Sequence, residues 1–228
     1  QDVEYSGVAS KMFGHLAYPK DASGPLPAII VIHENRGLVD HIKDVTRRAA
    51  KAGFVALGVD LLSRQGGTGQ FTDATQQTQA YGRTTVDGRM ADLISTLDYL
   101  KFHPRVVWNR IGVVGFCAGG QNVWDFSVAA PELAAAVPFY GAPPVGDTFN
   151  AIQTPVMAMY AERDRALTQR GLVACNEMIA RQKVVGFRVY EGVGHAFHND
   201  TGAAYNAEAA CDAWATTIAW FNKWLRRP

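Results

Sequence analysis

The sequence predicts an α/β fold: a single domain, residues 1–228, built on a mostly parallel, doubly wound sheet with helices on both faces. Three observations carry this reading. Continuous apolar runs such as Pro27-Ala-Ile-Ile-Val-Ile-His33 and Phe54-Val-Ala-Leu-Gly-Val59 suit strands covered on both faces. Segments with helical spacing alternate with those runs, as parallel strands require. Several runs also stop abruptly at charged or glycine-rich sequence, as strands do at the ligand-binding edge of an open sheet.

The elements follow in order. Lys11 to Pro19 alternates as an edge strand does, and Pro19 to Pro27 is turn-rich. The strand from Pro27 to His33 gives way to Glu34-Asn35-Arg36-Gly37-Leu38, where the sudden charge makes Glu34 a candidate site residue. Asp40 to Ala52 is an amphipathic helix with Ile42, Val45 and Ala49 inward and Lys43, Arg47 and Arg48 outward; Gly53 closes it. The strand Phe54 to Val59 ends in Asp60. Ser63 to Asp73 is rich in Gly, Thr, Gln and Ser, and reads equally as a lid or a surface excursion. A long helix is expected from Thr75 to Phe102, with Tyr81, Met90, Leu93, Leu97 and Leu100 at helical spacing and Pro104 at its exit.

The second half begins with the strand Ile111 to Phe116 and the helix Ala118 to Ala130. Ala134 to Tyr140 is a strand, Gly141 to Asn150 a Pro-rich loop, and Pro155 to Tyr160 a buried strand ending in Ala161-Glu162-Arg163-Asp164. Thr168 to Arg181 is helical, and Val184 to Tyr190 is the last strand, ending in Glu191-Gly-Val-Gly-His195. From about Ala203 a closing helix puts Trp214, Ile218, Phe221 and Leu225 on one face.

Composition narrows the partners. With 228 residues, 48% of them hydrophobic and 19% charged, the chain can bury a large core. A net charge of +1 and a pI near 7.9 give no electrostatic case for nucleic acid or a membrane surface, so the expected partner is a small molecule. The 3 cysteines form no disulfide framework or zinc set, and Cys175 and Cys211 read as small core residues of helices. His195 and His198 lack an acidic or third ligand at matching spacing, so neither metal nor cofactor is expected. His15, His41 and His103 suggest only solvation or packing. No apolar run reaches transmembrane length. The start at Gln1-Asp2-Val3 without Met leaves the compartment open between cytoplasmic and exported after signal removal. Assembly is open between monomer and homodimer.

The chemistry points to Gly115-Phe-Cys117-Ala-Gly119-Gly120. A strand that reverses sharply into a helix brings its flanks together, which glycines permit, and leaves a thiol at the apex beside helix N-terminal amides that favour thiolate. Such a thiol needs a base, and the base an orienting acid. His195 and Asp164 qualify, because each follows a predicted strand and the order nucleophile, acid, histidine is preserved. Glu162 competes for the acid role; Asp164 is preferred because it lies farther into its loop. Arg163 and Arg165 are expected to face solvent.

These residues resemble the dienelactone hydrolase family of the α/β-hydrolase superfamily. The matches are His33-Glu-Asn-Arg-Gly-Leu38, Gly53-Phe-Val-Ala-Leu-Gly-Val-Asp60, Gly115-Phe-Cys-Ala-Gly-Gly120, Tyr160-Ala-Glu-Arg-Asp164 and Gly194-His-Ala-Phe197, and they span nearly the whole chain. The resemblance implies a cysteine hydrolase of carboxylic esters or lactones that works through a thioester. Cys117 would be the nucleophile, His195 the base and Asp164 its orienter. Glu34 would be an extra carboxylate against the resting thiol, and the backbone N–H groups of Asn35 and Ala118 the oxyanion hole. Family members that cleave dienelactone hold its carboxylate with arginines, one of them shortly after the histidine. Here His195 is followed by Ala-Phe-His-Asn-Asp, which argues against dienelactone as the natural substrate. Arg83 or Arg64, and Arg36, are the remaining basic candidates for substrate contact, with Phe116 and Phe197 beside the reacting groups. A thioesterase or other acyl hydrolase would use the same constellation. A non-catalytic ligand-binding protein on this fold is the alternative of another class, against which the complete set of reacting residues speaks.

Overall fold

The computed structural model describes residues 1–226. By its contacts the chain falls into two compact units, one ending at Gly112 and the other beginning at Val113.

The first unit holds strands β1 (Asp2–Ser6), β2 (Lys11–Ala17), β3 (Leu26–Ile32) and β4 (Val55–Asp60), with helices α1 (Asp40–Lys51), α2 (Ala74–Gly82) and α3 (Val86–Lys101). Strand β5 (Val106–Phe116) starts there and ends in the second unit. That unit continues with α4 (Ala118–Ala129), β6 (Ala135–Phe139), β7 (Val156–Ala161), α5 (Arg165–Ala180), β8 (Val185–Tyr190) and α6 (Ala207–Leu225). The strand order is β1-β2-β4-β3-β5-β6-β7-β8. The predicted α/β class is therefore the observed one.

In the first unit β3 and β4 are parallel, with Ile30 opposite Leu57. β3 is apolar throughout and β4 is apolar up to its terminal Asp60, because both are buried along nearly their whole length. Helix α1 packs on β2, β3 and β4, and its Ile42 and Val45 are fully buried. Each contributes about 1.5–3 kcal/mol by burial. In the second unit β6, β7 and β8 are mutually parallel; α4 packs on β6, α5 on β7 and β8, and α6 on β6 and β7. Among the described residues no helix is long and apolar enough to cross a membrane.

Several expectations need correction. Lys11–Ala17 is not an edge strand: β1, which has a single buried residue and so no apolar signal, pairs antiparallel with it, and β4 flanks its other side. The long helix from Thr75 to Phe102 is two helices. Thr84 Oγ1 bonds the Tyr81 carbonyl, and Thr85 caps α3 by accepting from the Gly88 N–H, so the chain restarts between helices whose apolar spacing is continuous. The Ser63–Asp73 stretch contains two short 3-10 turns, Ser63–Gln65 and Thr68–Gln70, and is anchored by buried Thr68 rather than free. Strand β5 begins at Val106, α5 at Arg165 and α6 at Ala207, where Asn206 caps by accepting from Ala209 N–H. Cys175 is buried as expected, whereas Cys211 is exposed on α6. His15 pairs with Asp2, His41 is buried, and His103 accepts from the Arg105 N–H.

Candidate active site

Cys117 sits where β5 turns into α4, with φ 56° and ψ −116°, a left-handed-side conformation that non-glycine residues adopt only under constraint. The constraint is visible. Its N–H donates to Phe139 O at 3.1 Å, and its carbonyl accepts from Gln121 N–H at 3.1 Å as the first turn of α4 closes. Glycines make the approach possible: a Cβ on Gly115 would lie 2.4 Å from Gly119 O, and one on Gly120 only 2.3 Å from Phe139 O. Gly120 is thus the contact point of α4 with the end of β6. Cys117 and Ala118 are both half-buried.

His195 follows β8 and Asp164 follows β7, so the parallel pairing of these strands brings their loops together. Backbone bonds tighten the approach: Glu162 N–H donates to Tyr190 O at 3.0 Å and Arg163 N–H to Val193 O at 2.9 Å. Asp164 occupies the N-cap position of α5 but makes no side-chain cap bond. Its Oδ2 instead lies 2.5 Å from His195 Nδ1. Glu162 is committed elsewhere, since its Oε2 accepts from Gly192 N–H at 2.7 Å. That division selects Asp164 over its competitor as the partner of the imidazole.

The Cys117 side chain is near enough to act on the imidazole: its influence foremost, and then the bond to Asp164, pushes the His195 pKa up to about 9 against the opposing effect of burial. The structure brings together Cys117, His195 and Asp164, all within the second unit. Arg163 and Arg165 are exposed, as expected.

Sequence reasoning missed the residues around them. Tyr140, at φ 36°, follows β6 and places its ring 4.9 Å from the His195 ring. His198 is buried and stacks on Phe116 at 4.9 Å. A signal existed for Tyr140, which ends a buried strand next to the Gly141 turn; none existed for its backbone conformation. Phe116 and Phe197 are both fully buried and pack beneath the reacting residues, Phe116 on Phe139 and Phe197 on Tyr140 and Tyr190. Their place is support, because no surface of either reaches solvent.

In the first unit, Glu34 and Asn35 follow His33 beyond the end of β3 and are half-buried, while Arg36 is exposed. The loop they occupy is fixed at its far end: Thr68 Oγ1 accepts from Leu38 N–H at 2.8 Å and donates to Asp60 Oδ1 at 2.8 Å. Gly37, at φ 80°, completes it, since a Cβ there would lie 2.1 Å from Thr68 Oγ1. Arg83 is exposed at the end of α2. Arg64 forks onto buried Asp92 at 2.8 and 2.9 Å, which removes it as an alternative to Arg83. Among the described residues no group of three His, Cys, Asp or Glu could hold a metal ion.

Known proteins resemble this chain in sequence and in fold. The chain matches the model of the dienelactone hydrolase family over residues 12–225. It is 34% identical to a candidate carboxymethylenebutenolidase of Methylorubrum extorquens, over 88% of this chain and 73% of that protein. A solved structure of a candidate dienelactone hydrolase from Klebsiella pneumoniae superposes with a TM-score of 0.86 at 29% identity, covering 98% of this chain and 99% of that one. A metagenomic protein described as a dienelactone hydrolase-like promiscuous phosphotriesterase gives a TM-score of 0.84 at 26% identity, covering 98% and 97%. The chain belongs to the dienelactone hydrolase family, whose members are hydrolases of the α/β-hydrolase fold.

Proposed function

We propose that this ester and lactone hydrolase works through a Cys117 thiolate and a thioester intermediate. The observation that carries the proposal is the imidazole of His195, bonded to Asp164 and with its pKa raised foremost by Cys117, a residue held at positive φ.

His195 takes the proton of Cys117, and the sulfur attacks the substrate carbonyl. The tetrahedral oxyanion is met by the backbone N–H groups of Ala118 and Asn35, each such donor being worth ~3 kcal/mol. Collapse expels the alkoxide or enolate and leaves an acyl thioester. Water, deprotonated by His195, attacks that thioester and the acid departs. Asp164 keeps Nδ1 protonated and the ring oriented throughout. Glu34, two residues beyond β3, is assigned to the carboxylate that contacts the resting thiol. Arg36 and Arg83, both exposed, are the basic residues assigned to a substrate's charged group.

Replacing Cys117 by Ala should abolish p-nitrophenyl acetate hydrolysis while the protein stays folded, and mass spectrometry of the quenched wild-type enzyme should find acetyl on Cys117. Turnover retained by Cys117→Ala, or acetyl on another residue, would overturn the mechanism. A panel of lactones, enol esters, thioesters and one aryl phosphotriester, the last prompted by the metagenomic relative, then ranks substrate classes by kcat/KM.

A further inference from the structure

His33 takes no part in the steps above, yet it is a fully buried imidazole directly beyond β3. Both of its nitrogens are used on backbone. Nε2 lies 3.0 Å from the Leu61 N–H, and Nδ1 lies 2.5 Å from the Glu34 carbonyl oxygen. An amide nitrogen can only donate and a carbonyl can only accept, so the hydrogen is on Nδ1 and Nε2 is the acceptor. Burial pulls the imidazole pKa down from its ordinary value, which keeps this neutral tautomer.

The bond to Glu34 has a consequence one atom further on. The Glu34 carbonyl and the Asn35 N–H belong to one planar peptide, and none of the described peptides is cis. In a trans peptide the two groups point in opposite directions. Pinning the carbonyl to His33 therefore aims the Asn35 N–H away from His33. Rotating that peptide would break the bond and strand a buried ring donor, which costs about 1–3 kcal/mol. The far end of the loop is independently fixed through Leu38 and Thr68, and at the near end His33 holds the carbonyl of this one peptide.

We propose that His33 is a positioning residue that presets the oxyanion hole by orienting the Glu34–Asn35 peptide. The proposal rests on the assignment of the Asn35 N–H to that hole. It gives the histidine of His33-Glu34 a role distinct from those of the three reacting residues, exercised entirely through the backbone.

Three variants test it. His33→Asn keeps a donor where Nδ1 stood, His33→Gln keeps an acceptor where Nε2 stood, and His33→Leu keeps neither. Loss of an oxyanion donor costs roughly a hundredfold or more in kcat, so a misaimed one should cost about tenfold to a hundredfold in His33→Gln and His33→Leu. KM should stay within about threefold, because the ground state is bound as before. His33→Asn should recover most of the loss. Alkylation of Cys117 by iodoacetamide forms no oxyanion, so its rate should be unchanged in all three variants; a merely structural role would slow alkylation and turnover together. Wild-type kcat in His33→Gln, no recovery in His33→Asn, or parallel loss of alkylation would each overturn the proposal. The underlying assignment is tested separately by Asn35→Pro, which deletes the N–H itself, or by Ala118→Pro should the first not fold. Full kcat in these removes the hole as assigned, whereas loss in them with an unaffected His33→Gln removes only the role of His33.

Discussion

Substituting Gly115 by Ala tests how strictly the turn around Cys117 is built. The added Cβ would stand 2.4 Å from Gly119 O, 2.6 Å from Gly119 C and 2.9 Å from Val123 Cγ2, where ordinary contact begins at 3.4 Å. Val123 can turn aside. Gly119 cannot, because it is backbone in the first turn of α4, so that turn must withdraw from β5 by about 1 Å, the difference between 2.4 and 3.4 Å. Overpacking costs ~1–3 kcal/mol, and a rigid backbone partner puts this substitution near the upper end, about 3 kcal/mol. For a chain of this length each kcal/mol moves Tm by about 2–4 °C, so calorimetry should show a fall of roughly 6–12 °C. The same withdrawal carries Cys117 and the Ala118 N–H with it, and a shift of about 1 Å at reacting atoms costs about a hundredfold in rate. Ester turnover below Tm should therefore drop by that order. A variant melting within about 2 °C of the parent and hydrolysing ester at the parental rate would refute the reasoning.

Other expectations concern the remaining charged and nucleophilic groups. The raised His195 pKa, about 9 in the fold against 6.5 as the ordinary value, stabilises the protein fully below the lower value and ceases to do so as pH rises through the upper. Asp164→Asn should therefore cost stability near pH 6 and almost none near pH 10, measured by urea denaturation; a cost that grows with pH contradicts the pairing. Iodoacetamide should modify Cys117 and exposed Cys211 in the native protein and reach Cys175, whose pKa burial pushes up to about 12, only after denaturation; peptide mapping distinguishes the three. Arg64→Ala leaves the buried Asp92 carboxylate without its forked partner and should destabilise by about 2–3 kcal/mol, while exposed Arg83→Ala should change stability by less than about 0.5 kcal/mol; equal effects would void the distinction between these arginines.

What the sequence disclosed, and what it hid, follows from the range of the forces involved. Strands β3, β4 and β7 were legible because burial along nearly their whole length demands apolar residues at nearly every position. Cys117, Asp164 and His195 were legible because strand ends at one edge make distant residues neighbours. The break between α2 and α3 was not, because helical spacing runs straight across Gly82 to Thr85 and only side-chain bonds of Thr84 and Thr85 end one helix and start the next. β1 was hidden because its stability comes from backbone pairing with β2, which carries no composition signal. Phe116 and Phe197 lie next to Cys117 and His195 in sequence, but their rings are buried, Phe116 at the end of β5 and Phe197 in the turn after His195. The bonding of His33 depends on the Leu61 amide, supplied from beyond another strand, and no local pattern announces that.

His195 follows β8, one of the two edge strands of the sheet. β8 has one strand neighbour, and none of its residues is fully buried. Segments so lightly secured detach at lower free energy than the interior, on their own and reversibly. Gentle warming should accordingly silence hydrolysis while the bulk of the chain stays folded, and cooling should restore it, so that the ceiling on working temperature is set by the margin of the sheet and not by its centre.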